Sequence, residues 1–493
     1  MLRKLAAYGG PWWLAPGWRY PGLQRYDRGC QGLCVALPTL KLPFIVPEPS
    51  QSAPPLRLLV ITYYWPPSGG AGVQRCLKWV KYLPQLGVEP TVITVDADQA
   101  TYPVRDESLL REVPPGVRVI RTATLEPFGS YQKLTGRAVP HGGFANEGAP
   151  SFSQKAMRFV RGNLFIPDPR RGWNSYALAA VEKLLAQGEK FDAVLTSSPP
   201  HSTQLIGLAL QKNHGLHWLA DLRDPWTDIY YTKDLHRTAA ASRLDAHYES
   251  QVLRRADAVL VTSPETERLF RRKLPDLAKG KIVVLPNGYD EPDFQAASAA
   301  PTDCLRLTHT GTISARYRID TFLRAVADCA AAHPAVPLRL RFVGQVDAGV
   351  RAQVAAAGLA EATEFIPFVP HRESVAYLLS SSALLMAIPD VALNKGILPG
   401  KVFEYLAARK PVLCVGPAGS DADVVLRETS AGLALPYDNY ELMRSTLTGL
   451  AQRWQRSPNL DLPASPAVAR YSRRGQAQRL AELVRAASQP KRP

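Results

Sequence analysis

Residues 56–96 read LRLLVITYYWPPSGGAGVQRCLKWVKYLPQLGVEPTVITVD, and their order decides the fold class. The opening run of Leu, Val and Ile suits a strand buried on both faces. A turn rich in Pro and Gly follows, then a stretch with helical spacing, then a second strand over 90–96. A β-loop-α-β unit with near-continuous apolar strands implies a parallel sheet.

The same pattern recurs outward from this unit. FDAVLTSS (191–198), HWLADLR (217–223) and ADAVLVTS (256–263) read as further strands, with helical stretches such as STQLIGLALQKN (202–213) between them. Residues 122–172, rich in Gly and Pro, read as a long functional loop. A second series begins near residue 304 with CLRLTHTG (304–311), LRLRFVG (338–344), ATEFIPFV (362–369), ALLMAIP (383–389) and PVLCVGP (411–417), and with helices such as DTFLRAVADCAAA (320–332). The expected fold is therefore α/β, with two doubly wound Rossmann-like domains facing each other across a cleft. The 493 residues, about three times the ~150 of one domain, fit that division. The expected layout is an appendage over 1–55, a first domain over 56–298, a second over 299–470, and a basic helix or tail over 471–493 that crosses back to the first domain or meets anionic lipid.

Composition narrows the function classes. At 46% hydrophobic and 21% charged residues the chain reads as soluble and globular. A net charge of +16 favours a phosphate-bearing partner: a nucleotide, a nucleic acid or an anionic bilayer surface. Residues 451–493 carry nine basic against two acidic side chains, which makes the surplus there a property of the tail. No run approaches the ~18 apolar residues of a membrane span. Six cysteines (30, 34, 76, 304, 329 and 414) are too sparse for a disulfide framework and read as reduced thiols. The first residues are broken by Gly, Pro and Trp before a signal-peptide core develops, so the expected location is the cytoplasm. The appendage reads as a leader without regular structure; the alternative places Trp12, Trp13 and Trp18 on a membrane interface.

Five segments fall at the carboxyl ends of strands, where open α/β sheets bind ligands. In 66–72, Gly69 and Gly70 let backbone approach a ligand, although Arg75 stands where a dinucleotide fingerprint needs its third glycine. In 196–202, His201 is expected to point into the cleft and Ser202 to cap the next helix. In 220–226, Asp221, Arg223 and Asp224 form either an acceptor contact or a structural ion-pair network. In 308–318, Gly311 and Thr312 with Arg316 and Arg318 suit a diphosphate. In 398–412, Pro399 and Gly400 break the chain, Lys401 enters a helix and Glu404 follows one turn on, which sets a cation for phosphate and a carboxylate for ribose on one face. Asp96-Ala97-Asp98 and Asp421-Ala422-Asp423 spell an Asp-x-Asp metal motif, but the first ends a strand and the second opens a helix whose dipole favours acids, and neither is taken as a metal site.

Together PPSGGAGVQR, TSSPPHS, LRDPW, THTGTIS and LPGKVFEYLAARKPVL resemble the GT-B glycosyltransferases, in particular the family-4 retaining enzymes, over about residues 56–485. The resemblance implies a nucleotide-diphospho-sugar co-substrate bound mainly by the second domain and a saccharide or lipid-linked acceptor bound mainly by the first. It implies no metal, no other cofactor and no nucleic acid. It places Gly70 near the donor diphosphate, His201 near the transferred sugar, Arg316, Arg318 and Lys401 at the pyrophosphate, and Glu404 on ribose. It points to surface polysaccharide or glycolipid assembly, with an anionic membrane surface as a further partner. Two positions depart from the family pattern. Thr312 replaces an Arg, and Gly396 replaces a glutamate, so contacts to the sugar fall to backbone around Gly396, Ile397 and Leu398. Three alternatives are a sugar-nucleotide epimerase of the same fold, an NAD-dependent oxidoreductase with Asp96 on ribose, and an inactive sugar-nucleotide sensor.

Overall fold

The computed structural model describes residues 54–126, 152–295 and 303–488. Both sheets lie in one compact unit, Pro55–Pro493. The first is parallel, with β1 (Leu56–Thr62), β2 (Val88–Val95), β3 (Arg118–Thr122), β4 (Ala193–Ser198), β5 (Trp218–Leu222), β6 (Ala258–Val261) and β7 (Ile282–Val284) in the order 3-2-1-4-5-6-7. The second, also parallel, has β8 (Leu305–Thr310), β9 (Leu338–Val343), β10 (Thr363–Ile366), β11 (Ala383–Ala387), β12 (Val412–Val415) and β13 (Gly432–Leu435) in the order 10-9-8-11-12-13. Strand order reverses between β1 and β4 and again between β8 and β11. The loops leaving these four strands hold four of the five segments singled out above, as the switch-point rule requires, and the fifth, 220–226, leaves the neighbouring β5.

Apolar sequence explains the central strands. Every residue of β4, β5 and β11 is buried. Helix α1 (Ala71–Tyr82) follows β1, and α2 (Thr203–His214) follows β4. Next come α3 (Pro264–Lys273) after β6, α4 (Lys401–Ala407) after the loop from β11, and α5 (Asp421–Glu428) after β12. The last, α6 (Arg473–Ser488), buries Ala477, Leu480, Ala481 and Val484 in the cluster that holds Trp79 and Leu83 of the first half. Arg485 of α6 donates to the Leu86 carbonyl.

Several expectations change. The segment expected as a loop over 122–172 contains a helix at Phe152–Leu164, and Trp173 at its end is fully buried. Residues 127–151 lie outside the described residues, as do Trp12, Trp13, Trp18, Cys30 and Cys34. The four remaining cysteines are buried and unpaired. Gly400 does not break the chain, because its φ of −55° and ψ of −32° are helical. Of the two expectations for the basic stretch, crossing back to the first half or meeting anionic lipid, α6 follows the first, and it turns Arg473 inward, where it is 7% exposed. Among the described residues no helix is long and apolar enough to cross a membrane.

Candidate active site

A cavity of about 470 Å³ opens between the carboxyl ends of the two sheets, within the size range of small-ligand pockets. Arg223, Asp224 and Asn287 line it from the first half, and Tyr317, Gly396, Ile397, Leu398 and Lys401 from the second.

Lys401 is the cation of the second half's wall. Its Nζ lies 3.3 Å from His309 Nε2 and so close to the Gly311 turn that a Cβ on Gly311 would stand 3.2 Å from it. His309 is fully buried at the end of β8, with Nδ1 3.0 Å from the Leu385 carbonyl. That carbonyl can only accept, so Nδ1 carries the proton and Nε2 is left to accept from the Lys401 ammonium. Burial, then Lys401 itself, hold the His309 ring well below the usual histidine range, which keeps it neutral. Burial also pushes Lys401 down to about 8, with Glu404 opposing. No carboxylate lies within 4 Å of the ammonium among the described residues.

Two neighbours fix the turn that Lys401 faces. Tyr405, four residues along α4, accepts from the Thr310 N–H at 2.9 Å and donates to the Leu385 carbonyl at 3.3 Å. Gly344, at the end of β9, has φ +123°, and a Cβ there would meet the Gly311 carbonyl at 2.7 Å. Only glycine lets these two loops touch. Glu404 stands one turn beyond Lys401 and is 3.1 Å from His371 Nε2. That contact, with Asp293 3.9 Å from Nδ1, raises the His371 ring above its ordinary value.

The diphosphate arginines are placed otherwise than expected. Arg318 is held by Asp390 at 2.9 Å and by Asp438, and lies over the Tyr437 ring. It faces carboxylates outside the cavity, because a left-handed backbone (φ 38°) turns it away. Arg316 is exposed, and its carbonyl accepts from Asp390 N at 2.8 Å. Thr312 is exposed beside Gly311. Tyr317, between the two arginines, is the residue of this turn that reaches the cavity.

In the first half, Gly70 caps α1 with φ 81° and is exposed. Gly69 is buried, with its N–H on the Val104 carbonyl at 2.8 Å. His201 does not reach the cavity wall. It is buried, stacked on Trp226 at 4.9 Å, and neither ring nitrogen has a partner among the described residues. Burial, then Arg223 and Arg237, hold it down to about 3, so it stays neutral. Ser202 occupies the N-cap position of α2, but its hydroxyl donates to Asp168 at 2.9 Å instead of capping. Asp221 proves to be the structural alternative. It is fully buried, takes Arg75 Nη2 at 2.8 Å and the Ser197 hydroxyl at 2.7 Å, and leaves no oxygen for a substrate. Arg75 extends the tie to the Leu285 and Pro286 carbonyls, so the residue that breaks the dinucleotide fingerprint bolts α1 to β5 and to the end of β7. Arg223 donates to the Ser198, Gly72 and Pro199 carbonyls while lining the cavity. Asp224 beside it is raised by burial, with Arg223 opposing.

The halves meet at one edge. Ser263 Oγ donates to the Gly396 carbonyl at 3.2 Å, and a Cβ on Gly396 would stand 3.0 Å from Glu265 Cβ. Asp421 accepts from Glu265 N at 2.9 Å and from Arg268 at 3.3 Å. Asp423 accepts from Gly419 N, Ala434 N and Arg427. The Asp-x-Asp at α5 is thus consumed by structural bonds, while Asp96 accepts from Asp98 N. Sequence reasoning missed His309, Asn287 and Gly344. The first stood inside a quoted motif; the other two carry no local signal.

Residues 69–288 match the family model described as glycosyl transferase 4-like domain, and residues 305–452 the one described as glycosyl transferases group 1. A comparison with curated proteins finds no match. Among solved structures the chain is similar to a sucrose-phosphate synthase from Thermosynechococcus elongatus (17% identity, TM-score 0.52, covering 87% of this chain and 98% of that one). It is similar also to a glycosyltransferase from Rickettsia africae (13%, 0.54, 88% and 98%) and to a pneumococcal O-GlcNAc transferase in complex with UDP and GlcNAc (9%, 0.51, 88% and 99%). At these identities the likeness is one of fold.

Proposed function

We propose, on the premise that the chain belongs to the GT-B glycosyltransferases, with a 4-like first half and a group 1 second half, that it moves a sugar from a nucleotide diphosphate to an acceptor hydroxyl with retention at the anomeric carbon. The observation that carries this reading is Lys401: a cavity-lining ammonium without a carboxylate partner, aimed at a glycine turn and backed by a neutral histidine. An anion in that turn would take the charge that His309 only steadies. Glu404 on the same helix would accept from the pentose hydroxyls.

In the transfer, the bond from the anomeric carbon to the diphosphate oxygen breaks, and Lys401 stabilises the charge left on that oxygen. The acceptor oxygen bonds to the same face of the carbon, and its proton passes to the departing diphosphate. Arg223 and Asp224, on the opposite wall, are positioned to meet the acceptor. Backbone of Gly396 to Leu398 is left to contact the sugar. A saccharide, free or lipid-linked, is the acceptor class in this reading.

The test is a panel of UDP-, GDP- and ADP-sugars incubated with and without acceptor saccharides. Acceptor-dependent nucleoside diphosphate release with an α-configured donor giving an α-linked product supports the reading. Interconversion of the sugar without release would favour an epimerase and defeat it, as would full donor affinity in Glu404→Ala.

A further inference from the structure

The proposed transfer draws its phosphate contact from the second half and leaves Arg473 of α6 without a task. One guanidinium, Arg223, lines the cavity, and two more, Arg75 and Arg473, stand behind the cavity-lining Asn287. Arg75 is matched by Asp221. Arg223 is spread over three carbonyls. Arg473, 93% buried, has no carboxylate within 4 Å among the described residues; its nearest acceptors are Asn287 Oδ1 and Gln476 Oε1, both at a long 3.5 Å. Asn287 Oδ1 is already shared with Arg75 at 3.4 Å, and Asn287 itself lines the cavity.

The two carboxylates whose fields favour Arg473 are Asp290 and Glu404, and both are engaged elsewhere. Asp290 takes Lys78 and Lys81, each at 2.8 Å, and the Tyr82 hydroxyl. Glu404 takes His371. Burial, then the neighbouring Arg75, push Arg473 down to about 9, and at neutral pH it remains charged. A guanidinium serving only to hold structure is given a buried carboxylate, as Arg75 is. One kept buried without such a partner lowers the stability of the empty protein and is repaid only when an anion arrives.

We propose that Arg473 is a ligand for a phosphate oxyanion of the nucleotide donor, brought up behind Asn287 of the cavity wall by a helix that crosses from the second half into the first. The proposal rests on the donor reading above. It adds to Lys401 a second cation, carried by a helix packed on the first half's core, so that a bound diphosphate would be held from both halves.

The experiment is calorimetric titration of the full chain and of Arg473→Met and Arg473→Gln with UDP, GDP and ADP, and with inorganic phosphate, alongside thermal melts. Both variants are expected to bind the preferred nucleoside diphosphate at least about tenfold more weakly, the loss of one charge-assisted contact, with Tm unchanged or raised. Unaltered nucleotide affinity overturns the proposal, and so does a lowered Tm in both variants, the signature of a structural arginine. Loss of inorganic phosphate binding with nucleoside diphosphate binding intact also overturns the assignment to the donor. Glu404→Ala, run in parallel, separates the two readings: if it loses affinity while Arg473→Met keeps it, only Arg473 is misassigned.

Discussion

At the residue scale, titration separates Lys401 on the cavity wall from His201 buried behind it. Lys401 has its proton affinity lowered by burial to about 8. A diphosphate prefers the charged form, so donor affinity should be level below pH 8 and fall by up to about tenfold per unit as pH rises above it. Isothermal titration between pH 7 and 10 measures this. Lys401→Met should bind weakly at every pH, without the fall that begins near pH 8. His201 behaves in the opposite way, since its folded value of about 3 lies below the ordinary 6.5. The unfolded chain binds the proton more readily, so this residue's contribution to stability is present above pH 6.5 and is lost as pH falls toward 3. Denaturant melts of wild type and His201→Phe from pH 7.5 to 4.5 should show the shallower acid loss in the variant, and an equal loss would refute the buried neutral ring.

At the element scale, the hydrogen-bonded bolt between α1 and β5 sets how firmly the first half's loops are held. Arg75→Met leaves Asp221 charged and buried, and should cost about 3–5 kcal/mol in urea unfolding, far more than loss of an exposed arginine such as Arg444. Gly344→Ala forces a side chain onto a φ of +123° and into the Gly311 carbonyl. It should cost about 1–3 kcal/mol and weaken nucleotide binding as well, because the Gly311 turn must move; a variant with normal affinity would show that the turn is not part of the site. These elements also mark the limits of what sequence alone could give. The central strands were legible because burial on both faces leaves unbroken Val, Ile and Leu. The edge strands β3, β7 and β13 were not, since RVIRT alternates and IVV and GLAL are too short to stand out. Lys401 and Glu404 were legible as types at a spacing. The roles of Asp221 and Arg318 were not, because they depend on partners 146 and 72 residues away.

At the scale of the whole molecule, the two halves are joined by Ser263, Glu265 and Arg268 against Gly396 and Asp421, and by the chain running through Tyr289 and Ser472, which pair as an isolated bridge. Asp421→Ala removes two of the edge bonds, one of them to the backbone of the cavity-lining Glu265, while Asp421 itself does not line the cavity. It should raise donor KM and enlarge the radius of gyration in solution scattering of the nucleotide-free protein. An unchanged scattering curve would mean that the edge contacts do not set the opening of the halves.

The return of α6 to the first half has a further consequence during synthesis. Chains fold from the amino end as they emerge from the ribosome, yet Ala477, Leu480, Ala481 and Val484 are buried beside Trp79 and Leu83. The earliest-made half therefore waits, its apolar floor bare, until translation has run past residue 484. A nascent chain stalled before that point should be a substrate for chaperones and proteases, however complete its leading sheet.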